Sequence, residues 1–317
     1  MRALFLTLYP ESGASSRYRV LQFLPHLEAQ GIECTVACPF TENEFSRLRA
    51  DAAKGRAWRY HVHEFRARLK QILGARAFEV VILQKAVMSA YVKGMAPLVR
   101  ACARTLVYDV DDAVNLSPPH PLPRRWAWMG DAGQVNKLFA RADLVLAGNE
   151  WLRASAEVAG GRAELFPTVV DTDRFQPATQ QDRSPFIVGW IGGPSTSAHL
   201  RPIAKTLTLL RDARVRLVGA DRVQASVPDA TYVPWSLDTE VAEIQRFSVG
   251  VMPLPKTEWA RGKCALKALQ YMACGIPCIA TPFGAVCDII EDGVNGMCAD
   301  TPDEWIAAID RLRYPEL

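Results

Sequence analysis

Four groups of residues have the types and spacing that chemistry needs. In "GWIGGPSTSAHL", Gly192 and Gly193 end an apolar run and are followed by Ser195 and Thr196. Adjacent glycines let the main chain approach another group closely, and N–H groups at a helix start attract anions such as a diphosphate. A tight turn capped by Ser195 or Thr196 fits the same residues. The segment is neither G-x-G-x-x-G nor a P-loop, since no Gly-Lys-Ser/Thr follows. In "WARGKCALKALQYMACG", Arg261, Lys263 and Lys267 stand at the start of a helix predicted to run into Met272 and to end at Gly275. A spacing of four puts Lys263 and Lys267 on one face, and Gln270 joins them three residues later. Such a face is either solvated or able to grip an anionic, hydroxylated ligand. In "YPESGASSRYRV", Gly13, Ser15, Ser16 and Arg17 form either a capped turn or a wrap for an anion or sugar hydroxyl.

The fourth group is "YDVDD", with Asp109, Asp111 and Asp112 at a strand end. Carboxylates this close repel one another unless a cation or hydrogen-bond donors relieve them. Three chemistries fit: a metal site for a diphosphate, the nucleophile and acid of an aspartate-dependent phosphatase, or hydrogen bonds that order loops at a cleft. For the phosphatase, "EDGVNG" at 291–296 resembles the acidic loop of such enzymes, but Gly296 stands at its second acid and Ala113 where Thr belongs. His61 and His63, two apart in "YHVHEF", read as one face of a solvated strand edge. No nucleophile, base and orienter are grouped in sequence.

The elements that must carry these groups follow from hydrophobic periodicity. Strand-like runs are predicted at 3–8, 33–38, 80–83, 105–108 and 144–147, separated by helical patterns such as 18–30, which stops at Gly31. After the polar, Pro-containing stretch 171–185 a second series begins: 186–191, 215–218, 230–233, 249–253 and 277–280. Strand–helix alternation means parallel sheets with helices on both faces, and ligands of such sheets sit beyond the carboxyl ends of the strands. The reading is a tandem α/β protein: a first domain over 1–175, a linker over 176–185, and a second domain over 186–317.

Length and composition agree with this. The chain has 317 residues, 49% of them hydrophobic and 22% charged, room for two buried cores. A net charge of +3 gives no ground for a nucleic-acid partner. No apolar run approaches the ~20 residues of a membrane span, which points to the cytoplasm. The eight cysteines include no C-x-x-C pair and read as small buried thiols rather than metal ligands. "HPLPRRWAWMG" mixes Arg124 and Arg125 with Trp126 and Trp128. That composition suits an anionic membrane face, and an acceptor-side loop or buried tryptophans equally.

Taken together, "SSRYRVLQFLPHLEAQGIE", "YDVDD", "ADLVLAGNEWLRASA", "PTVVDTDRFQP", "GWIGGPSTSAHL" and "KALQYMACGIPCIATPFGAVCDIIEDGVNG" resemble the GT-B glycosyltransferases of retaining family 4. The resemblance implies two Rossmann-like domains facing each other across a cleft. It implies transfer of a sugar, of the hexosyl type, from a nucleotide-diphosphate donor to a glycan, lipid or small-molecule acceptor, with retention and without a bound metal or other cofactor. By position, Gly192, Gly193, Ser195 and Thr196 would face the diphosphate and Lys263 and Lys267 its charge. Gln270 would contact the ribose, and Ile290 and Glu291 would line the base and ribose end. Arg17, Asp109 and Asp112 would border the cleft. The expected place is the cytoplasm, with peripheral contact at the inner face of the membrane. Against the family pattern, Gly262 and Gln270 stand where two glutamates are usual, and the chain stops at Leu317 without the family's closing helices. Those departures keep a second reading in view, a non-catalytic sugar-nucleotide-binding or scaffold protein of the same fold.

Overall fold

Twelve short strands assemble into two parallel sheets of six in the computed structural model, which describes residues 1–179 and 184–314. The chain divides into two compact units, Met1–Thr168 and Val169–Leu317. The division precedes the stretch 176–185 read as a linker, of which residues 180–183 lie outside the described residues.

The first unit contributes β1 (Arg2–Leu6), β2 (Glu33–Ala37), β3 (Val80–Gln84), β4 (Thr105–Val110), β5 (Leu144–Ala147) and β6 (Ala163–Leu165), in the order β2-β1-β3-β4-β5-β6. The second contributes β7 (Phe186–Ile191), β8 (Ala213–Val218), β9 (Thr231–Val233), β10 (Val249–Met252), β11 (Cys278–Ala280) and β12 (Met297–Cys298), in the order β12-β11-β10-β7-β8-β9. Each sheet is a Rossmann-like parallel array, and central strands such as β10 are buried on both faces, as the apolar runs require. The edge strands β6 and β12, of three and two residues, are additions that periodicity could not detect, because so few residues hold no pattern.

The helix expected over 18–30 is broken into Ala14–Arg19, a 3₁₀ turn Leu21–Phe23 and Leu24–Ala29. Pro25, in the first turn of the last piece, has no N–H with which to continue a helix from before. The chain leaves it at Gly31, whose φ of +77° suits a residue past a helix end.

Candidate functional site

In the second unit the turn after β7 meets the helix Leu266–Ala273 at Lys267, Glu240 beyond β9 meets it at Gln270, and Gly219 after β8 lies against the Gly192 carbonyl. Tyr271 sets that helix on the sheet. Its ring lies over Gly250 of β10, where an added Cβ would come within 2.3 Å of the ring, and its hydroxyl accepts from the Ile191 N–H at 3.2 Å. Lys267, one helical turn earlier, therefore faces the same sheet. Its Nζ stands 5.4 Å from the centre of the Trp190 ring, a cation–π contact. A Cβ at Gly192 would meet Lys267 Cε at 2.9 Å and Trp190 at 2.6 Å, so the lysine stem passes directly over a position where any side chain would force its neighbours to shift. The structure thus brings Lys267 and the Gly192-Gly193 turn together.

The turn itself is more committed than expected. Gly192 donates its N–H to the Val218 carbonyl at 3.0 Å, which leaves Gly193 as the member of the pair able to offer a main-chain donor. Gly193 caps a 3₁₀ helix, Pro194–Leu200, and its carbonyl accepts from the Thr196 N–H and hydroxyl, both at 3.0 Å. Ser195 and Thr196 lie in the first turn of that helix, and Gly193 takes the cap position expected of one of them.

Three other expectations need correcting. Lys263 is not on the helix with Lys267. It occupies a turn between the short helix Glu258–Arg261 and Leu266–Ala273, where Ala265 adopts φ +51°, so the two lysines share no helix face. Gln270 does not present an open amide to a ribose. It is 4% exposed, and its Nε2 donates to Glu240 Oε1 at 3.3 Å. Glu240, 3% exposed, also accepts from Trp235 Nε1 at 3.2 Å and from Arg174 at 3.0 Å. The segment holding Ile290 and Glu291 is a self-closed turn. Glu291 donates its N–H to Asn295 Oδ1 and accepts from the Val294 N–H, and its side chain is exposed, whereas Ile290 is buried. The Glu240 cluster escaped sequence reasoning because its members come from three separate segments, around 174, 235–240 and 270.

In the first unit, Asp109 lies within β4, is 1% exposed, and takes both carboxylate oxygens to Arg19, at 2.5 and 3.1 Å. Burial lifts its carboxyl above the ordinary range even though Arg19 pulls it down. So enclosed, it has no open face for a phosphoryl group or a substrate. Asp112 and Asp111 instead meet Lys85 at the end of β3, at 3.2 and 3.6 Å. Lys85 also donates to Ser15 at 3.2 Å. Burial works against the charge on Lys85, but the two aspartates more than reverse this and hold the ammonium above its usual range. Of the three chemistries open to "YDVDD", hydrogen bonds and ion pairs that order loops describe what is seen. Lys85 was missed, although a lysine closing an apolar strand beside the aspartate strand was a signal for it. Arg17 sits in the helix Ala14–Arg19, largely buried, and donates to the Glu11 carbonyl at 2.7 Å. Among the described residues no cluster of three or more His, Cys, Asp or Glu is arranged to hold a metal ion.

Two Rossmann-like units with the donors of the second gathered at its strand ends define a GT-B architecture. The chain shares this fold with Anabaena Alr3699/HepE in complex with UDP-glucose (15% identity, 100% of this chain on 90% of that one, TM-score 0.65). It also resembles sucrose-phosphate synthase from Thermosynechococcus elongatus (12% identity, 98% on 89%, TM-score 0.68) and the lipopolysaccharide outer core galactosyltransferase WaaB (13% identity, 100% on 91%, TM-score 0.60). Residues 186–313, most of the second unit, match the family model described as Glycosyl transferases group 1. No curated protein matches the sequence.

Proposed function

We propose that the protein transfers a sugar from a nucleotide-diphosphate donor to a hydroxyl of an acceptor. The donor is assigned to the second unit and the acceptor to the first. The observation that carries this reading is Lys267, held over Trp190 and Gly192 at the carboxyl edge of a parallel sheet within the residues that match the Glycosyl transferases group 1 model. A departing nucleoside diphosphate accumulates negative charge, and a fixed ammonium with the Gly193 N–H meets that charge as it develops. Lys263, on its own turn, supplies a second cation. Retention by front-face displacement, in which the leaving phosphate takes the acceptor proton, is consistent with this arrangement and needs no metal. That Anabaena Alr3699/HepE was solved with UDP-glucose supports a uridine donor as the first to try.

Calorimetric titration with uridine, guanosine and adenosine diphosphate sugars, followed by transfer or donor hydrolysis assays, tests the proposal. Tight binding of one donor with turnover supports it. Binding without turnover selects the non-catalytic reading, and no binding by any donor refutes both. A peripheral membrane contact is favoured by one further observation. Trp128 is 73% exposed on a 3₁₀ turn, Arg124–Met129, whose Arg124 and Arg125 are also exposed. Liposome sedimentation that requires anionic lipid and is lost in Trp128→Ser would support it. No helix among the described residues is long and apolar enough to cross a membrane.

A further inference from the structure

The first unit carries a charged surface that the donor chemistry does not use. Residues 45–78 hold nine Lys or Arg and two acids, a net +7 in a chain whose whole net charge is +3, so the rest of the molecule is net negative. Both acids, Asp51 and Glu64, are buried, and of the nine cations only Arg68 is. Eight exposed cations therefore stand in this stretch with no exposed acid among them. Asp51 draws in Arg56 and Arg59, at 2.5 and 2.7 Å, but their side chains stay 50% and 45% exposed.

The helix Ala57–Gly74 sets apolar side chains beside this charge. At about 100° of rotation per residue, Trp58, Val62, Phe65, Leu69 and Leu73 fall within an arc of about 80°, and Arg59, Arg66 and Lys70 occupy the adjoining arc of about 40°. Tyr60, Glu64 and Arg68 turn the other way and are buried. Trp58 is 43%, Phe65 38% and Leu73 55% exposed, with Val62 and Leu69 half-buried between them. The strip runs about 22 Å along the helix. Single exposed apolar residues are ordinary, but an aligned strip rimmed by cations marks an interaction surface.

Its composition selects the partner. Two copies packed strip to strip would set arginine against arginine, with no exposed acid of the stretch to pair them. A nucleic acid would meet the cations and leave Val62, Leu69 and Leu73 in water. An anionic bilayer uses both, with apolar side chains at the boundary of head groups and acyl chains and cations on lipid phosphates. We propose that the outer face of the helix Ala57–Gly74 docks on an anionic lipid bilayer. This docking rests neither on the transferase reading nor on the Trp128 turn.

Cosedimentation of the full chain with vesicles of phosphatidylcholine alone, or of phosphatidylcholine mixed with phosphatidylglycerol, tests it. Binding should need phosphatidylglycerol and weaken as salt is raised. Arg66→Glu combined with Lys70→Glu should lower the affinity about ten-fold or more, and Phe65→Ser combined with Leu73→Ser several-fold. All four positions are exposed or at the surface of the helix, so thermal midpoints and nucleotide-sugar binding should match the parent in both double variants. Equal binding to vesicles without phosphatidylglycerol, or parental binding by either double variant, overturns the proposal. If the double variants bind as the parent does while Trp128→Ser does not, the contact belongs to the Trp128 turn instead. A short DNA duplex that binds as tightly as the anionic vesicles, with no loss in the Phe65 and Leu73 double variant, makes the surface one for nucleic acid and also overturns it.

Discussion

Gln270 invites the substitution that would restore the usual glutamate of the family pattern, and the structure says this should fail in a pH-dependent way. The amide nitrogen donates to Glu240 Oε1 at 3.3 Å, and both residues are almost wholly buried. In Gln270→Glu two carboxylates take that separation. Their repulsion is about 5 kcal/mol at an effective dielectric near 20, equivalent to raising one carboxyl by up to about 3.7 pKa units. Arg174 on the other oxygen of Glu240 favours keeping that charge, so the introduced carboxyl is the one that retains a proton. A carboxyl raised on folding is destabilising wherever the unfolded chain releases the proton and the native one holds it. The cost therefore starts near the unfolded value of about 4.3, reaches about 1 kcal/mol at pH 5 and grows to about 4 kcal/mol at pH 8. Gln270→Met provides the control, losing a charge-assisted hydrogen bond worth about 1.5–3 kcal/mol at every pH. Urea unfolding from pH 5 to 8, with amide exchange in β7 and β10 reporting on the second unit, measures both. A Gln270→Glu protein whose stability deficit is constant over that range refutes the assigned contact and its burial.

Three further outcomes are expected. Lys267→Met keeps the stem over Trp190 but removes the charge, so turnover should fall about 10²-fold or more with unfolding midpoints unchanged, as steady-state kinetics and thermal scans would show. Gly192→Ala forces a methyl to within 2.6 Å of Trp190 and 2.9 Å of Lys267, which should cost about 1–3 kcal/mol and weaken donor binding in calorimetry. Glu64 is fully buried, and that burial raises its carboxyl to about 7 despite hydrogen bonds from Ser89. A raised carboxyl contributes stability that is present at low pH and lost as pH rises through about 7. Glu64→Gln should thus flatten the pH dependence of the melting temperature between pH 5 and 7.5, removing about 2–4 kcal/mol of slope.

What could be read from the sequence, and what could not, divides along the range of the interactions involved. Apolar runs of four or more residues announced ten of the twelve strands, because burial on both faces of a parallel sheet leaves a local imprint. Gly192 was visible for a similar reason, since a Cβ there would press on Trp190 and Lys267, whereas Gly193 has open space around it. Lys263 was misplaced because the break at Ala265 is a single left-handed residue inside an otherwise helical pattern, which no side-chain periodicity records. His61 and His63 were taken as one face of a strand, yet they lie in the helix Ala57–Gly74. Two residues apart there is about 200° of rotation, so His63 stacks on Phe40 and meets the Pro39 carbonyl while His61 is buried edge-on to Tyr60. The charged partners were hidden by distance along the chain. Asp109 is answered by Arg19 ninety residues earlier, and Gln270 by Glu240 thirty residues earlier. Each is a polar group that burial obliges to find a partner, and nothing local says which one. A carboxylate cluster or a helical glutamine in this fold is therefore best assigned by first finding the cation or acceptor that burial has already given it, and only then asking whether any valence remains for a substrate.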